Sequence, residues 1–527
     1  MKNWMLLLSA ILLGITQVKA QDETDALRYS RTTSGGDART IAIGGAAGSL
    51  GGDASDIWVN PAGIGFFKTN DLSFTPLLHS INTDAQYYQT SASDSKSQLA
   101  LQNLALILAS NSKRSSHWKN ITFGVGENRI ANFNQALYYQ GKINTPASTY
   151  SSYSDNYLIT LANDQVQDVQ TAETNYPFGI SESVRAGLIG PVYDNNNQFA
   201  GWSSLPSQII ADGYALLQSK TLLTRGGLDV FSLAAAGNYE DKFFIGAALN
   251  IPSISFERHE TFEESNPGDA NSPLNKYDVL NYLKTTGVGI SGSLGIIYVP
   301  VSALRLGISV QTPSYYSMHD SYYTTVTTDT KDQGVVSATT ADVTGGYTGD
   351  YAYNLTTPMH LVGSASYVFG ASNSDPERLK GFITADYEWV DYRKAHFRYD
   401  QSYSSDIAQQ NKVNQSISQL YQGASNIRLG GELKWDIWAL RAGFAYYGNP
   451  YAPASGNVNA AQYSYSGGLG YRNKGFYLDF TYVFSSWKDQ NQPYYVIQPN
   501  SLQVPSPAPA TWKARQSQFV LTLGFKI

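Results

Sequence analysis

Apolar and polar residues alternate along much of the chain in short runs, the pattern of strands with one apolar face. In 242–253, Phe243, Ile245, Ala247, Leu249 and Ile251 share one side. Leu304, Leu306, Ile308 and Val310 alternate with Arg305, Gly307, Ser309 and Gln311. Ile427, Leu429, Leu433 and Trp435 alternate with Arg428, Gly430, Glu432 and Lys434. Phe476 to Phe484 repeats the pattern, and Phe519, Leu521, Leu523, Phe525 and Ile527 carry it to the last residue.

Such strands suit a soluble sheet with one wet face or a transmembrane barrel, apolar outside and polar inside. The connections favour the barrel. Tight turns at 239–242, 299–303, 434–438 and 471–475 alternate with long polar stretches at 142–225, 317–357, 394–424 and 488–513. Outer-membrane barrels have short periplasmic turns and longer extracellular loops. Six hairpins, at 101–126, 226–256, 284–316, 358–393, 425–448 and 461–487, join one strand before them (72–82) and one after (514–527). The reading is all-β: a 14-stranded antiparallel transmembrane β-barrel with long extracellular loops, its strand number even as in single-chain bacterial barrels. The second strand, near 98–109, also fits a helix through Leu99, Leu101, Leu104 and Leu108. Segment 142–225 predicts a folded extracellular cap with helices near 157–169 and 209–218, and 402–422 predicts another helix. Trp389, Trp435, Trp438, Tyr471 and Trp487 lie at strand ends, where an aromatic girdle is expected.

The N-terminus adds a compartment. Lys2, an apolar 5–15 and Val18-Lys19-Ala20 read as a secretory signal over 1–20, cleaved before Gln21. This places the protein in the outer membrane of a Gram-negative bacterium, among outer-membrane lipid. Composition narrows the chemistry. Charged residues are 15% of 527, aromatics are 13% and mostly tyrosine, and net charge is −6. The acidic balance argues against a nucleic-acid partner. With no cysteine, disulfides, Cys-ligated zinc, iron–sulfur clusters and thiol catalysis are excluded. No two of the six histidines are spaced for a shared metal, no nucleophile elbow occurs, and no cofactor is indicated, so the chain does not read as an enzyme. Gly287-Val288-Gly289-Ile290-Ser291-Gly292 matches a dinucleotide fingerprint but lies inside an alternating strand, so it reads as wall rather than cofactor loop.

Residues 21–70 are not strand-like. Small side chains dominate 44–54, and Asn60-Pro61 favours a turn. A barrel of this size encloses a lumen that such a segment can plug. Gly44-Gly45-Ala46, then Asp53-Ala54, then Asn60-Pro61-Ala62-Gly63, resembles the N-terminal hatch of the FadL/TodX family of outer-membrane transport proteins. The local match covers about 39–75. The resemblance implies a hatch at 21–70, a barrel at 71–527, and uptake of hydrophobic small molecules such as long-chain fatty acids or aromatic hydrocarbons. It also implies hatch gating, and lateral release at a kink in the third strand. Gly44, Gly45, Asp53, Asn60, Pro61, Ala62 and Gly63 are the hatch candidates. Gly124 and Gly126 mark a possible wall kink within 124–134, or simply make room for the plug. Leu216, Leu217, Leu222 and Leu223 are candidate ligand-contacting cap residues by composition. The inward charges Arg305, Arg428, Glu432, Lys434, Arg441, Arg472 and Asp479 are expected to pair across the wall. The protein is expected to be monomeric. A second reading is a protein-binding barrel with a surface or secretion partner acting in secretion or surface assembly. A general porin is disfavoured by the plug.

Overall fold

The computed structural model describes residues 22–33, 35–111, 117–143, 151–266, 272–370, 379–496 and 506–527. The predicted signal segment 1–20 lies outside them. Fourteen wall strands form one closed antiparallel barrel. In order they are Asp71–Tyr87, Thr90–Asn111, Trp118–Asn132 continued by Gln135–Ile143, Leu216–Tyr239, Phe243–Ser265, Leu274–Val301 and Leu304–Gln311 continued by Tyr315–Thr330. There follow Gly349–Thr356 continued by His360–Phe369, Lys380–Asp391 continued by His396–Arg398, Gly423–Trp435, Trp438–Tyr447, Gln462–Asn473, Phe476–Asn491 and Ala510–Lys526. Closure comes from the first and last strands, paired from Asp71↔Lys526 to Gln86↔Thr511. Closing the sheet leaves no strand edge in the hydrocarbon, where an unpaired backbone group costs several kcal/mol.

The alternation sets the two faces. Leu72, Phe74 and Leu78, Ile245, Leu249 and Ile251, and Ile290, Leu294 and Ile296 are exposed on the outside. Between the last group, Ser291, Ser293 and Ile297 turn inward and are buried. The lumen-facing members of this sixth strand are largely small, and the Gly287–Gly292 run is wall. Trp435 and Trp438 are exposed at one turn, as a girdle requires. Trp487 departs from that expectation. It shares the inward parity of Val483 and Ser485, and meets Trp512 edge-on at 6.5 Å.

The outer strands run further than the alternation suggested. The first and second strands form one long hairpin turning at Tyr88 and Gln89, with Tyr87 opposite Thr90. The region near 98–109 is strand rather than helix. Above the membrane both faces are polar, so period two carries no hydropathy signal although the backbone ladder continues. For the same reason the predicted loop 317–357 contains Tyr315–Thr330 and Gly349–Thr356 as paired strands. The predicted cap 142–225 is shorter than expected, because Leu216–Thr224 pairs with Gln135–Ile143 as wall. Its helices are Asp155–Asn163, Val169–Asn175, Ile180–Arg185 and Leu205–Ala211. The helix expected in 402–422 is present as Ser404–Leu420.

Candidate functional site

Residues 22–33 and 35–67 occupy the lumen. Helix α1 is Glu23–Ser30, α2 is Ala38–Ala42 and α3 is Asp56–Val59, followed by a 3-10 turn at Pro61–Phe66. Short side chains start them. Asp22 caps α1 in a capping box, and Asp37 accepts from Thr40 N to cap α2. Asn60 accepts from Ala62 N, with Pro61 at the first position of the turn.

The hatch residues predicted from sequence come together, and each has a physical task. Gly44 and Gly45 have φ of +69° and +77°, a region costly for any side chain. A Cβ on Gly44 would also lie 2.8 Å from the Phe444 carbonyl oxygen. Asn60 Nδ2 donates to the Gly48 carbonyl at 2.6 Å, tying the two ends of the small-residue loop. Gly63 N donates to the Asn60 carbonyl, while Gly52 N donates to the Gly63 carbonyl at 3.0 Å. Pro61 and Ala62 press on the wall at Gly246, where a Cβ would sit 2.4 Å from the Pro61 carbonyl.

Gly246 is one of a set that the sequence did not mark. At Gly295 a Cβ would stand 1.8 Å from Asn60 Oδ1, at Gly307 2.3 Å from Gly48 O, at Gly430 2.3 Å from Ile43 O, and at Gly443 2.1 Å from Gly44 N. These inward wall glycines make a mould for the hatch. Alternation flagged them only as polar-side positions, because their partner lies hundreds of residues away in sequence.

Charges fasten the hatch within this mould. Arg39 reaches Asp53 and the wall residue Glu432, both at 3.2 Å. Glu432 is also paired with Arg441 at 2.6 Å, and Arg441 with Asp479 at 2.5 Å. Arg428 pairs with Glu388 at 3.0 Å, and Arg305 donates to the Leu50 carbonyl. Burial pushes the Asp53 carboxyl up, but Arg39 and hydrogen bonds from Ser55 outweigh it and hold the group below the usual carboxylate range. Asp56 has no such cation in contact, and burial, then the Asp53 charge, push it well up. Further polar links complete the seal. Thr481 donates to Ala38 O at 2.6 Å, Ser466 to Ala42 O at 2.9 Å, and Asp386 accepts from Gly48 N at 3.1 Å.

Beyond the hatch the lumen becomes aromatic. Tyr29 of α1 meets Phe133 and Phe256 edge-to-face at 5.8 and 6.2 Å. Leu27, Tyr353, Phe397, Tyr399 and Ile417 belong to the same buried cluster, so α1 fills the apolar chamber. Tyr421 donates to the Glu23 carbonyl at 2.8 Å, which ties the start of α1 to the extracellular side. Desolvation raises the Asp25 carboxyl to about 7, against the pull of its ion pair with Arg28. A cavity of about 90 Å³ remains between hatch and chamber, lined by Thr33, Trp58, Asn128, Val230, His360 and Arg428 among others. That holds a few waters, far less than a pocket of about 300–1,000 Å³ for a drug-sized ligand.

The predicted cap leucines do not form this chamber. Leu216 is buried with the cap residues Leu161, Ile180 and Ile209. Leu222 packs beside Tyr87 and Tyr139, Leu223 is exposed on the wall, and Leu217 sits in the ladder opposite Lys142. All four belong to the fourth strand, whose alternation sends neighbours to opposite faces.

The third strand holds the other feature. Its ladder with the second strand runs from Asn111↔Asn120 to Asn103↔Asn128, and among the described residues it goes no further. Beyond it, Gln102 Nε2 donates to the Arg129 carbonyl, and Thr83 of the first strand donates to the Ala136 carbonyl at 2.7 Å. The chain has bent into the lumen, past its neighbour. Gly124 and Gly126 lie below the bend within the intact ladder, opposite Ile107 and Ala105. They make room for the plug: Cβ atoms there would meet Ile57 at 3.0 Å and Trp58 at 2.7 Å. The bend follows Asn128, where the third strand slips one residue at Ile130 against the fourth, and it meets Gly226 of the fourth strand, φ +116°, whose carbonyl accepts from Phe133 N at 3.0 Å. The N-terminal segment rests on this bend. Thr33 N donates to Ile130 O at 3.0 Å, and Gly36 N to Asn128 Oδ1 at 2.8 Å.

No family model matches the chain, and no characterised protein matches it by sequence. Solved structures match by shape. A FadL homologue from Pseudomonas aeruginosa has a TM-score of 0.53 at 12% identity, over 94% of this chain and 98% of that one. The toluene transporter TodX of P. putida has a TM-score of 0.50 at 12% identity, over 94% and 99%. At such identity what is shared is the fold, a hatch-bearing barrel of this kind.

Proposed function

We infer that the protein is a monomeric outer-membrane channel of a Gram-negative bacterium for the uptake of hydrophobic small molecules, and not an enzyme. The observation that carries this is a lumen closed by its own N-terminal segment, beside a wall strand that leaves its ladder. A sealed lumen does not suit a general porin. An apolar chamber above the seal suits a cargo that gains free energy by leaving water.

The mechanism follows from the contacts. A cargo entering from outside meets the aromatic chamber, where α1 occupies the space it needs. Displacing Leu27 and Tyr29 pulls on Thr33 and Gly36, which hydrogen-bond the bend of the third strand. Entry, hatch movement and the lateral break thus share one segment. Release sideways into the membrane at 129–143 spares an apolar molecule passage through a wet lower lumen. Long-chain fatty acids and aromatic hydrocarbons are the cargo classes to try first.

The test is uptake of a labelled long-chain fatty acid and of labelled toluene by cells with the protein, without it, and with a variant lacking 39–65. Cargo-specific uptake that needs the protein, and a deletion that converts it to unselective leak, is the expected result. Uptake of neither cargo above the deletion strain would reject the transport reading and favour a barrel that binds a protein partner.

A further inference from the structure

One sector of the outer surface is built differently from the rest of the rim. The top of its apolar belt is the row Tyr482, Phe519, Leu78 and Leu99, adjacent across the thirteenth, fourteenth, first and second strands and all exposed. The next outward positions are Phe484, Ser517, Ser80 and Ser97, then Ser486, Arg515, Asn82 and Ser95, then Lys488, Lys513, Asp84 and Ser93. Within two turns of the pleat the surface passes from aliphatic to a shelf of hydroxyls and three cations. The serines follow from the sequence: Ser91, Ser93, Ser95 and Ser97 occupy every outward position of that part of the second strand.

The charges do not balance. Arg515 pairs with Asp84 at 2.5 Å, and Ser93 donates to the same carboxylate at 2.9 Å. Lys488 and Lys513 lie directly opposite each other in the ladder, both exposed, and among the described residues neither has an ion pair. Like charges directly opposite are destabilising. Elsewhere on the rim cations meet carboxylates, as in Arg225–Glu257, Lys276–Glu263 and Arg393–Asp391. Hydroxyls here also face outward in pairs, Ser97 with Ser80 at 2.9 Å and Tyr482 with Ser517 at 3.1 Å.

We propose that this shelf binds the phosphorylated sugar headgroup of an outer-leaflet glycolipid, with Lys488, Lys513 and Arg515 on the phosphate and the serine rows on the sugar hydroxyls. The acyl chains then lie on the Tyr482–Phe519–Leu78–Leu99 row. Position selects this occupant. The cations stand two to three pleats above the last apolar row, and long basic side chains snorkel to the headgroup level from such sites. An anion between Lys488 and Lys513 also removes their repulsion. The proposal rests on the outer-membrane placement above, and not on transport.

The test uses the full mature protein in detergent and phosphorylated lipid A as probe, with bound lipid counted by native mass spectrometry. The protein is expected to retain phosphorylated lipid A, to bind dephosphorylated lipid A much more weakly, and to lose affinity as salt rises. Each of Lys488→Gln, Lys513→Gln and Arg515→Gln is expected to weaken binding about fivefold, the worth of one cation at an anionic membrane surface. Lys276→Gln, on the far side of the rim, is the control and is expected to change nothing. Equal binding of both lipid forms by the unaltered protein overturns the proposal without any variant. So does a triple variant, still heat-modifiable as a folded barrel, that keeps its lipid. Cell fractionation tests the membrane placement separately.

Discussion

Arg39 joins the hatch carboxylate Asp53 to the wall carboxylate Glu432, so Arg39→Gln tests what this bridge contributes to holding the plug in place. Glu432 keeps Arg441 at 2.6 Å and stays compensated. Asp53 does not. Its carboxylate is 6% exposed, and Ser55 N at 2.9 Å is a dipole where Arg39 was a charge. Stranding a buried charge in this way costs about 3 kcal/mol, or about a hundredfold in the ratio of seated to unseated hatch. The assay is ion conductance of the purified barrel in planar bilayers against pH. In the native protein the Asp53 carboxyl is held below its ordinary range, so its support for the seated hatch is present at neutral pH and lost as acid protonates it. In the variant the largest pull against burial is gone and only the Ser55 hydrogen bonds and more distant charge oppose it, so the group rises and acid relieves the stranded charge. Leak is therefore expected to be raised at pH 7 and to fall toward pH 5 in the variant, whereas in the native protein the Asp53 contribution is unchanged over that interval and is lost only in stronger acid, below the ordinary carboxylate range. A variant with native conductance, or one whose leak does not fall toward pH 5, would refute the reasoning.

Four further outcomes are expected. Gly443→Val places side-chain atoms where Gly44 N lies 2.1 Å from a Cβ; overpacking of about 1–3 kcal/mol raises conductance while heat-modifiability on gels is kept. Gly226→Ala puts a Cβ 1.9 Å from Ser255 O at positive φ, so the stretch of the fourth strand that meets the third-strand bend is displaced and uptake drops with the barrel still folded. Leu294→Arg, on the lipid face, lowers folding stability in vesicles by about 2–4 kcal/mol, read by denaturant titration. Asp25, raised to about 7, binds its proton more tightly when α1 is seated, so α1 loosens as pH rises from about 4 through 7; Asp25→Asn flattens this, measured by proteolysis at Thr24.

The barrel was legible wherever one face meets lipid. Ile290, Leu294 and Ile296 against Ser291 and Ser293 state the strand and its orientation without help. That signal fails once strands leave the membrane, which is why 83–97 and 317–357 were read as connections although Asp84↔Ser93 and Ser317↔Asn354 are ladder pairs. The hatch was legible for a different reason. Positive φ at Gly44 and Gly45 and the Asn60-Pro61 turn are local demands, satisfied by residues adjacent in sequence. The chamber was not. Tyr29, Phe133, Phe256 and Tyr353 come from four separate regions, and tyrosines are common throughout this chain. Gly124 and Gly126 show the ambiguity of glycine in a strand. The same residue type makes room beside Ile57 and Trp58 and takes the positive φ at Gly226 beside the bend, and only the packing distinguishes them.

The chemistry of the seal bears on how a plug can be both tight and removable. An apolar plug would have to expose its buried area on moving, at about 25 cal/mol per Å², and would stay put. This hatch is mixed. Ile57 and Ile64 share a buried cluster with the wall residues Ile107 and Ala234, Ile43 and Leu50 share one with Phe382, and Phe66 stacks on Phe244 at 3.6 Å. Thr481, Ser466, Asp386, Arg39 and Asn60 join it to the wall by bonds that water can replace. Such a bond contributes only about 0.5–1.5 kcal/mol net. The seat is held by many small increments, fitted into glycine hollows that exclude water while it is closed. A second apolar part of the N-terminal segment, Leu27 and Tyr29, lies above the seal in the chamber a hydrophobic cargo would take. Cargo then replaces the apolar contacts that Leu27 and Tyr29 make in the chamber and water replaces the polar ones, which leaves the apolar hatch–wall contacts as the cost that cargo binding has to meet. The division predicts where selectivity lies: substitutions at Tyr29, Phe133 or Phe256 change which molecules open the channel, whereas substitutions at Arg39 or Gly443 change how often it opens with none.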